Sequence, residues 1–303
     1  MNWVAMRRGL PRRSSISRRS LEDTSGPERV TTDLLRSLAW EHAPIVQLHP
    51  EDRFRPTSPV AFVGDSRLRM YDRRQQAHMP LHPVLNLRTR KWTKPPAVRA
   101  LMGHDYFNPP LDLLGSLALR EDGTNHRPRD GKAASRGNVF LEHRHRTPRG
   151  EGDLTGKVPT FYYGKSIGGG ESLLTFWFFY GYSRYQAVQL LGHQGDWEHI
   201  SLILDRSGRV RGAYFAAHGR PTRVDAEDLE IVDGRTVVHS AKESHASYPT
   251  RGEHPNGDKT LEGPRWETWR ALESLAVQEW RRFAGAWGAV GSLAATTGPL
   301  GPW

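Results

Sequence analysis

From Lys157 onward, five runs of β-branched and aromatic residues follow one another: KVPTFYYGKS, SLLTFWFFYGYS, DWEHISLILD, RVRGAYFAAHG and RTVVHSAKES. Such side chains suit a pleated, half-buried surface, and the Gly, Asp and Ser residues between the runs mark chain reversals. Ser207-Gly208-Arg209 and Asp233-Gly234-Arg235 are turn signals that fit either hairpin tips or looser loops. Five strands at this spacing predict a mainly β fold, most simply an antiparallel β-sandwich.

The remaining segments are expected to dress that sandwich. Residues 1–30 read as a disordered, Arg-rich tail, because a block of like charges repels itself and stays open. A short helix is expected in TTDLLRSLAWEHAP, capped by Thr31 or Thr32 and stopped before Pro44. PIVQLHPEDRFRPTSPVAFV is broken by Pro50, Pro56 and Pro59 and reads as extended. Residues 31–303 are expected to form one sandwich domain with a loop-rich insertion around 75–150, including a mobile loop over Arg120 to Asn138. In PRWETWRALESLAVQEWRRFAG, Trp266, Trp269, Leu272, Ala276, Trp280 and Phe283 recur every three or four residues, which predicts a C-terminal helix packed on the sheet.

Composition removes several function classes. With no cysteine, disulfides, thiolate chemistry and sulfur-ligated zinc are excluded. The net charge of +10 is concentrated: six arginines and no acid occupy the first twenty residues, leaving about +4 for the rest. Nucleic-acid contact is therefore expected only through the tail. No run reaches the ~20 apolar residues of a membrane span, and the tail lacks the apolar core of a secretory signal. Cytoplasmic residence or export by a signal-independent route is the expectation.

GHQGDWEH, Gly192 to His199, is the densest chemical feature. Strand alternation puts Asp196, Glu198, Ile200, Leu202 and Leu204 on one face, and Trp197, His199, Ser201 and Ile203 on the other. The apolar members make the first face the inward one, so two carboxylates meet at the core-side mouth of the strand. They repel unless a cation or a proton lies between them. His193 can curl back over the same point. One imidazole, two carboxylates and water suit magnesium, calcium or manganese, and leave zinc open. The competing reading is a polar turn in which Asp196 caps backbone amides and Glu198 pairs with an arginine. His218 and His245 end neighbouring runs and can point at the same mouth or simply hydrogen-bond within their loops. His239 is mid-strand, His199 is expected on the outer face, and HRHR (His143 to Arg146) reads as a solvated charged segment. GGGES (Gly168 to Ser172) lacks the nucleophile-elbow pattern, and GKSIGGG lacks phosphate-loop order.

The order APIVQLHPEDRFRPTS, KVPTFYY, LTFWFFYGYS, GHQGDWEHI, AYFAAHG, SHASYP, FAGAWG and TTGPLGP resembles the vacuolar protein sorting-associated protein 62 family. The second half is more distantly similar to the necrosis-inducing (necrosis- and ethylene-inducing-peptide-like) cytolysins, which carry GHRHDWE after an aromatic strand. That resemblance implies a β-sandwich in which the heptapeptide helps hold a divalent cation beneath a glycosphingolipid-binding surface. It maps His193, Asp196 and Glu198 onto metal-site positions, with His218 and His245 near them. Two departures stand out: YSRYQ supplies Ser183 or Arg184 where the cytolysins have an acid, and Gly195 replaces their second histidine. The expectation is a cytolysin-like or toxin-like module that binds a membrane headgroup or glycan through a divalent cation. The alternatives are a metal-dependent hydrolase (a phosphodiesterase or lipase-like effector) using His218 or His245 as general base, and a vacuolar trafficking-type protein with a structural polar cluster. The sequence leaves oligomeric state open.

Overall fold

The computed structural model describes residues 27–302, apart from 73–76, 81–83, 87–90, 94–106, 119–124, 126, 128–138, 151–155, 186–190 and 292–293. The arginine-rich stretch before residue 27 and nearly all of the 120–138 loop lie outside the described residues. Helix α1 (Pro27–His42) begins five residues earlier than the Thr31 cap predicts, with proline opening its first turn, and ends ahead of Pro44 as expected. Residues 27–30 are thus helical rather than part of an open tail.

Two main sheets form the body of the fold. The first is built from β1 (Ile45–Gln47), β7 (Ile231–Val232), β8 (Arg235–Ser240), β9 (Ser247–Tyr248) and β10 (Arg265–Glu267). Its order is β7-β8-β1-β10, with β9 also paired to β8. The second is built from β2 (Thr160–Gly168), β3 (Glu171–Arg184), β4 (Gly192–Leu204), β5 (Val210–Phe215), β6 (Thr222–Asp225) and β11 (Leu272–Ser274), in the order β6-β5-β4-β3-β2-β11. All five predicted runs are strands. Both turn signals are hairpin tips: Leu204 pairs with Val210, and Val232 with Arg235 across Asp233 and Gly234, both at positive φ. Pairing is antiparallel except where β1 meets β8 and β11 meets β2.

The sheets face each other across an apolar layer. Val46, Val238 and Trp266 from the first meet Phe176, Phe178, Tyr180, Ile200, Leu202 and Phe215 from the second. This is the predicted sandwich. Its outer side is covered as well: Phe161, Phe179 and Trp197 pack against Trp280, Phe283 and Trp287 of the C-terminal segment. A smaller sheet joins Ser66–Asp72 to Ala77–Pro80 and Val139–His143.

The C-terminal helix is not formed. Arg265–Glu267 is instead an edge strand beside β1, Leu272–Ser274 an edge strand beside β2, and the rest is short 3-10 turns. The three-to-four spacing has another origin. Trp266 serves the inter-sheet core, Trp280 and Phe283 serve the outer cluster, and Ala276 is exposed. The chain passes from one side of the sandwich to the other, and two sheet edges that need pairing outweigh helix propensity.

Candidate site at the mouth of the sandwich

GHQGDWEH is one continuous stretch of β4, paired with β3 so that Tyr180 faces Asp196 and Phe178 faces Glu198. Gly195 sits at φ +64, in the left-handed region, and a Cβ there would run into the Trp287 carbonyl. Only glycine fits there. The left-handed turn also interrupts strand alternation. Gln194 reaches the outer layer, donating from Nε2 to the His143 and His145 carbonyls (3.1 and 2.8 Å) and accepting at Oε1 from the His143 and Ala289 amides (3.1 and 3.2 Å). Asp196, Glu198 and Ile200 keep the predicted inward face, and Trp197 the outer one.

At that inward mouth lies His245, with no exposed surface. Its Nδ1 donates to Asp196 Oδ2 at 2.8 Å, its Nε2 lies 3.4 Å from Asp52 Oδ2, and its ring stacks on Tyr180 at 3.8 Å between centroids. Burial alone would lower the imidazole pKa, but the Asp52 and Asp196 carboxylates overcome it and push it up to about 10. Burial also works against the Asp52 carboxylate. The His245 charge and amide bonds from Phe54 (2.8 Å) and Glu243 (3.0 Å) still hold it below the ordinary range.

Glu198 differs. It is half-buried, and among the described residues nothing hydrogen-bonds its carboxyl. Burial, then the neighbouring Asp196 charge, raise its pKa well above the usual carboxylate value, against a smaller opposing pull from His245. Among the described residues no arginine pairs with Glu198. Asp196 spends Oδ2 on His245, and no hydrogen bond among the described residues reaches its Oδ1.

Beside this pair, His218 Nε2 donates to Asp258 Oδ2 at 2.7 Å, and that bond raises its pKa above the ordinary value. Asp258 also accepts from Ser244 Oγ (2.7 Å) and the Tyr248 hydroxyl (2.9 Å), while Tyr185 stacks near His218 at 5.7 Å. His193 turns back on its own loop, its Nδ1 lying 2.8 Å from the Gly195 carbonyl oxygen. His239 pairs with Glu230 at 2.8 Å, away from the mouth. His199 lies on the outer face as expected, but half-buried there, and burial lowers its pKa to about 4. His143 is buried in its strand, so HRHR is not wholly solvated.

The site therefore gathers Asp196, Glu198 and His245, and brings His218 alongside through Asp258. Sequence reading missed Asp52, Glu243 and Asp258. Glu243 is the acid that meets Arg184: its Oε2 takes Arg184 Nε and Nη2 (2.7 and 2.5 Å) and its Oε1 takes Arg53 Nε (2.8 Å). Two guanidinium groups thus meet the Glu243 carboxylate. Of six non-glycine residues at positive φ among the described ones, His218, Glu243 and His245 all belong here. Backbone strain concentrated at one place is characteristic of sites that hold side chains for a task.

No group of three or more His, Asp or Glu side chains among the described residues is gathered as a metal-ligand set. His245 has both ring nitrogens against carboxylates, while His193 and His218 are each held through one ring nitrogen. Asp196 Oδ1 and the Glu198 carboxyl, completed by water, suit a hard cation that binds oxygen and keeps its hydration.

Residues 153–276 match the family model of vacuolar protein sorting-associated protein 62. The protein of that name from Saccharomyces cerevisiae (strain ATCC 204508 / S288c) is 29% identical over 136 residues, covering 32% of this chain and 29% of that protein. The match thus spans less than a third of that relative. Among solved structures, Necrosis and Ethylene inducing Protein 2, from the causal agent of cocoa's Witches Broom disease, overlaps with a TM-score of 0.37. It is 14% identical, covering 80% of this chain and 76% of that one. NLPPya in complex with glucosamine overlaps at TM-score 0.33 and 13% identity, covering 56% and 76%. Both resemblances carried by the motifs are found again, the second as a weak overlap only.

Proposed function

We propose that the mouth built by Asp196, Glu198, His245 and the His218–Asp258 pair is a binding site for a hydroxyl-rich headgroup or glycan. In this reading the chain is a cytolysin-like or toxin-like recognition module. Asp196 and Glu198 are the residues that would hold a divalent cation, with magnesium, calcium or manganese favoured over zinc. Such an ion would offset the two carboxylates and offer open coordination positions to ligand hydroxyls. The observation that carries this reading is the half-buried Glu198 carboxyl beside Asp196, which no donor among the described residues reaches and whose pKa is raised by burial and by the Asp196 charge. The chain's own residues do the rest. His245 fixes the Asp196 rotamer, as partners of ligating carboxylates do. Asp258 orients His218 at the rim, where its imidazole can donate to a ligand oxygen.

Catalysis through His245 is disfavoured, because an imidazole whose pKa is about 10 is already protonated at neutral pH and cannot act as general base. His218, oriented by Asp258, is the base that a hydrolase reading would use.

Isothermal titration with calcium, magnesium or manganese alone, followed by binding to glycolipid-bearing and plain phosphatidylcholine vesicles, tests the proposal. Asp196→Ala is expected to lose both ion and glycolipid-vesicle binding. Retention of both in that variant contradicts it. Release of a cleaved headgroup that stops with EDTA and in His218→Ala would establish the hydrolase instead.

A further inference from the structure

Among the described residues the tryptophan cluster covers only part of the outer face of the second sheet. Another part floors a cavity of about 580 Å³ on the side opposite Asp196 and Glu198. Strand register builds this floor in rows. In the first row Trp177 faces His199 across β3 and β4, the rings 4.2 Å apart. In the next, Tyr163, Thr175 and Ser201 lie side by side, and the Thr175 and Ser201 hydroxyls bond at 2.7 Å. In the last, Lys165 pairs with Leu173. Leu275, Arg281 and Arg282 close the side.

The lining thus combines an apolar and aromatic floor with three cationic side chains and no carboxylate. Among the described residues, no acid forms an ion pair with Lys165, Arg281 or Arg282. Several other arginines, Arg53, Arg144, Arg184, Arg251 and Arg265 among them, do pair with acids. The size lies within the range of small-molecule pockets, and a mostly apolar wall with a few convergent polar groups is their usual makeup.

From this complementarity we infer that the cavity binds an apolar monoanion, a single-chain carboxylate of the fatty-acid type. The chain would lie along Trp177, Leu173 and Leu275, and the carboxylate would meet Arg281, Arg282 and Lys165 through charge-assisted hydrogen bonds. The site is separate from the mouth described above and does not depend on the reading given there.

Titration of the full chain with dodecanoate, below its micelle concentration, tests this beside dodecanol, which has the same chain without the charge. Dodecanoate is expected to saturate one site and to bind roughly tenfold or more tighter than dodecanol. The double variant Arg281→Gln/Arg282→Gln should erase that difference while leaving dodecanol binding unchanged. These arginines lie on the partly open side of the cavity, so the fold should tolerate their loss, checked by near-UV circular dichroism. Ser201→Trp, which fills the floor, should abolish binding of both, and Asp196→Ala should affect neither. Absence of saturable dodecanoate binding, equal affinity for dodecanol, or undiminished preference in the arginine double variant would overturn the proposal.

Discussion

At the scale of single residues the mouth of the sandwich divides into groups that stabilise the fold and one that strains it. The raised pKa of Glu198 means that the folded state holds its proton more tightly than the unfolded state. Its favourable contribution is therefore complete only below the ordinary value of 4.5, and is lost as pH rises through the raised folded value. Glu198→Gln is accordingly expected to melt higher than the parent in ion-free buffer at pH 7–8, and the gain should shrink towards pH 4. Scanning calorimetry across that range checks it. His245 behaves oppositely in value to the fold. Its stabilisation is complete below 6.5 and is lost as pH climbs through about 10. His245→Gln leaves Asp52 and Asp196 without their buried counter-charge, so urea unfolding at pH 7 should show a loss of about 3–5 kcal/mol. The parent's advantage over this variant should narrow between pH 7 and 10.

Elements show how far the chain could be read without coordinates. The strands β2 to β5 and β8 were legible because alternation, β-branched residues and turn signals all agree there. The inward placement of Asp196 and Glu198 followed from the same alternation. Two things were not legible. Trp266 to Phe283 carries helical spacing, yet edge strands beside β1 and β2 claim its ends, a demand that exists only once the sheets are assembled. Asp52, Glu243 and Asp258 were missed because loops far apart in sequence deliver them, with no local pattern to announce a carboxylate bound for β4. Gly195 could be identified as a departure, but the Trp287 carbonyl behind it could not. Gly195→Ala must accept both positive φ and that collision. It should cost about 3 kcal/mol or more and loosen the Gln194 bonds that anchor β4, measurable by denaturant unfolding and amide exchange at residues 193–197.

Across the whole molecule, the second sheet is a plate with different work on its two sides. Its inner side meets the first sheet and, at one end, sets Asp196 and Glu198 beside His245. Its outer side carries the tryptophan cluster and the cation-lined cavity. Trp287 touches Phe62, Phe179, Trp197 and Trp280 with no exposed surface, so Trp287→Ala should destabilise the chain by about 3–5 kcal/mol. The role proposed for the inner mouth is to bind a hard divalent ion through Asp196 and Glu198. An ion that binds only the folded state raises its stability in proportion to RT ln(1 + [ion]/Kd). The most direct test is the melting temperature of the parent chain, Asp196→Ala and Glu198→Gln, each titrated with calcium or magnesium at pH 7.5. A concentration-dependent rise is expected for the parent and none for either variant. An equal rise in all three, or no rise in the parent at millimolar ion, would contradict it.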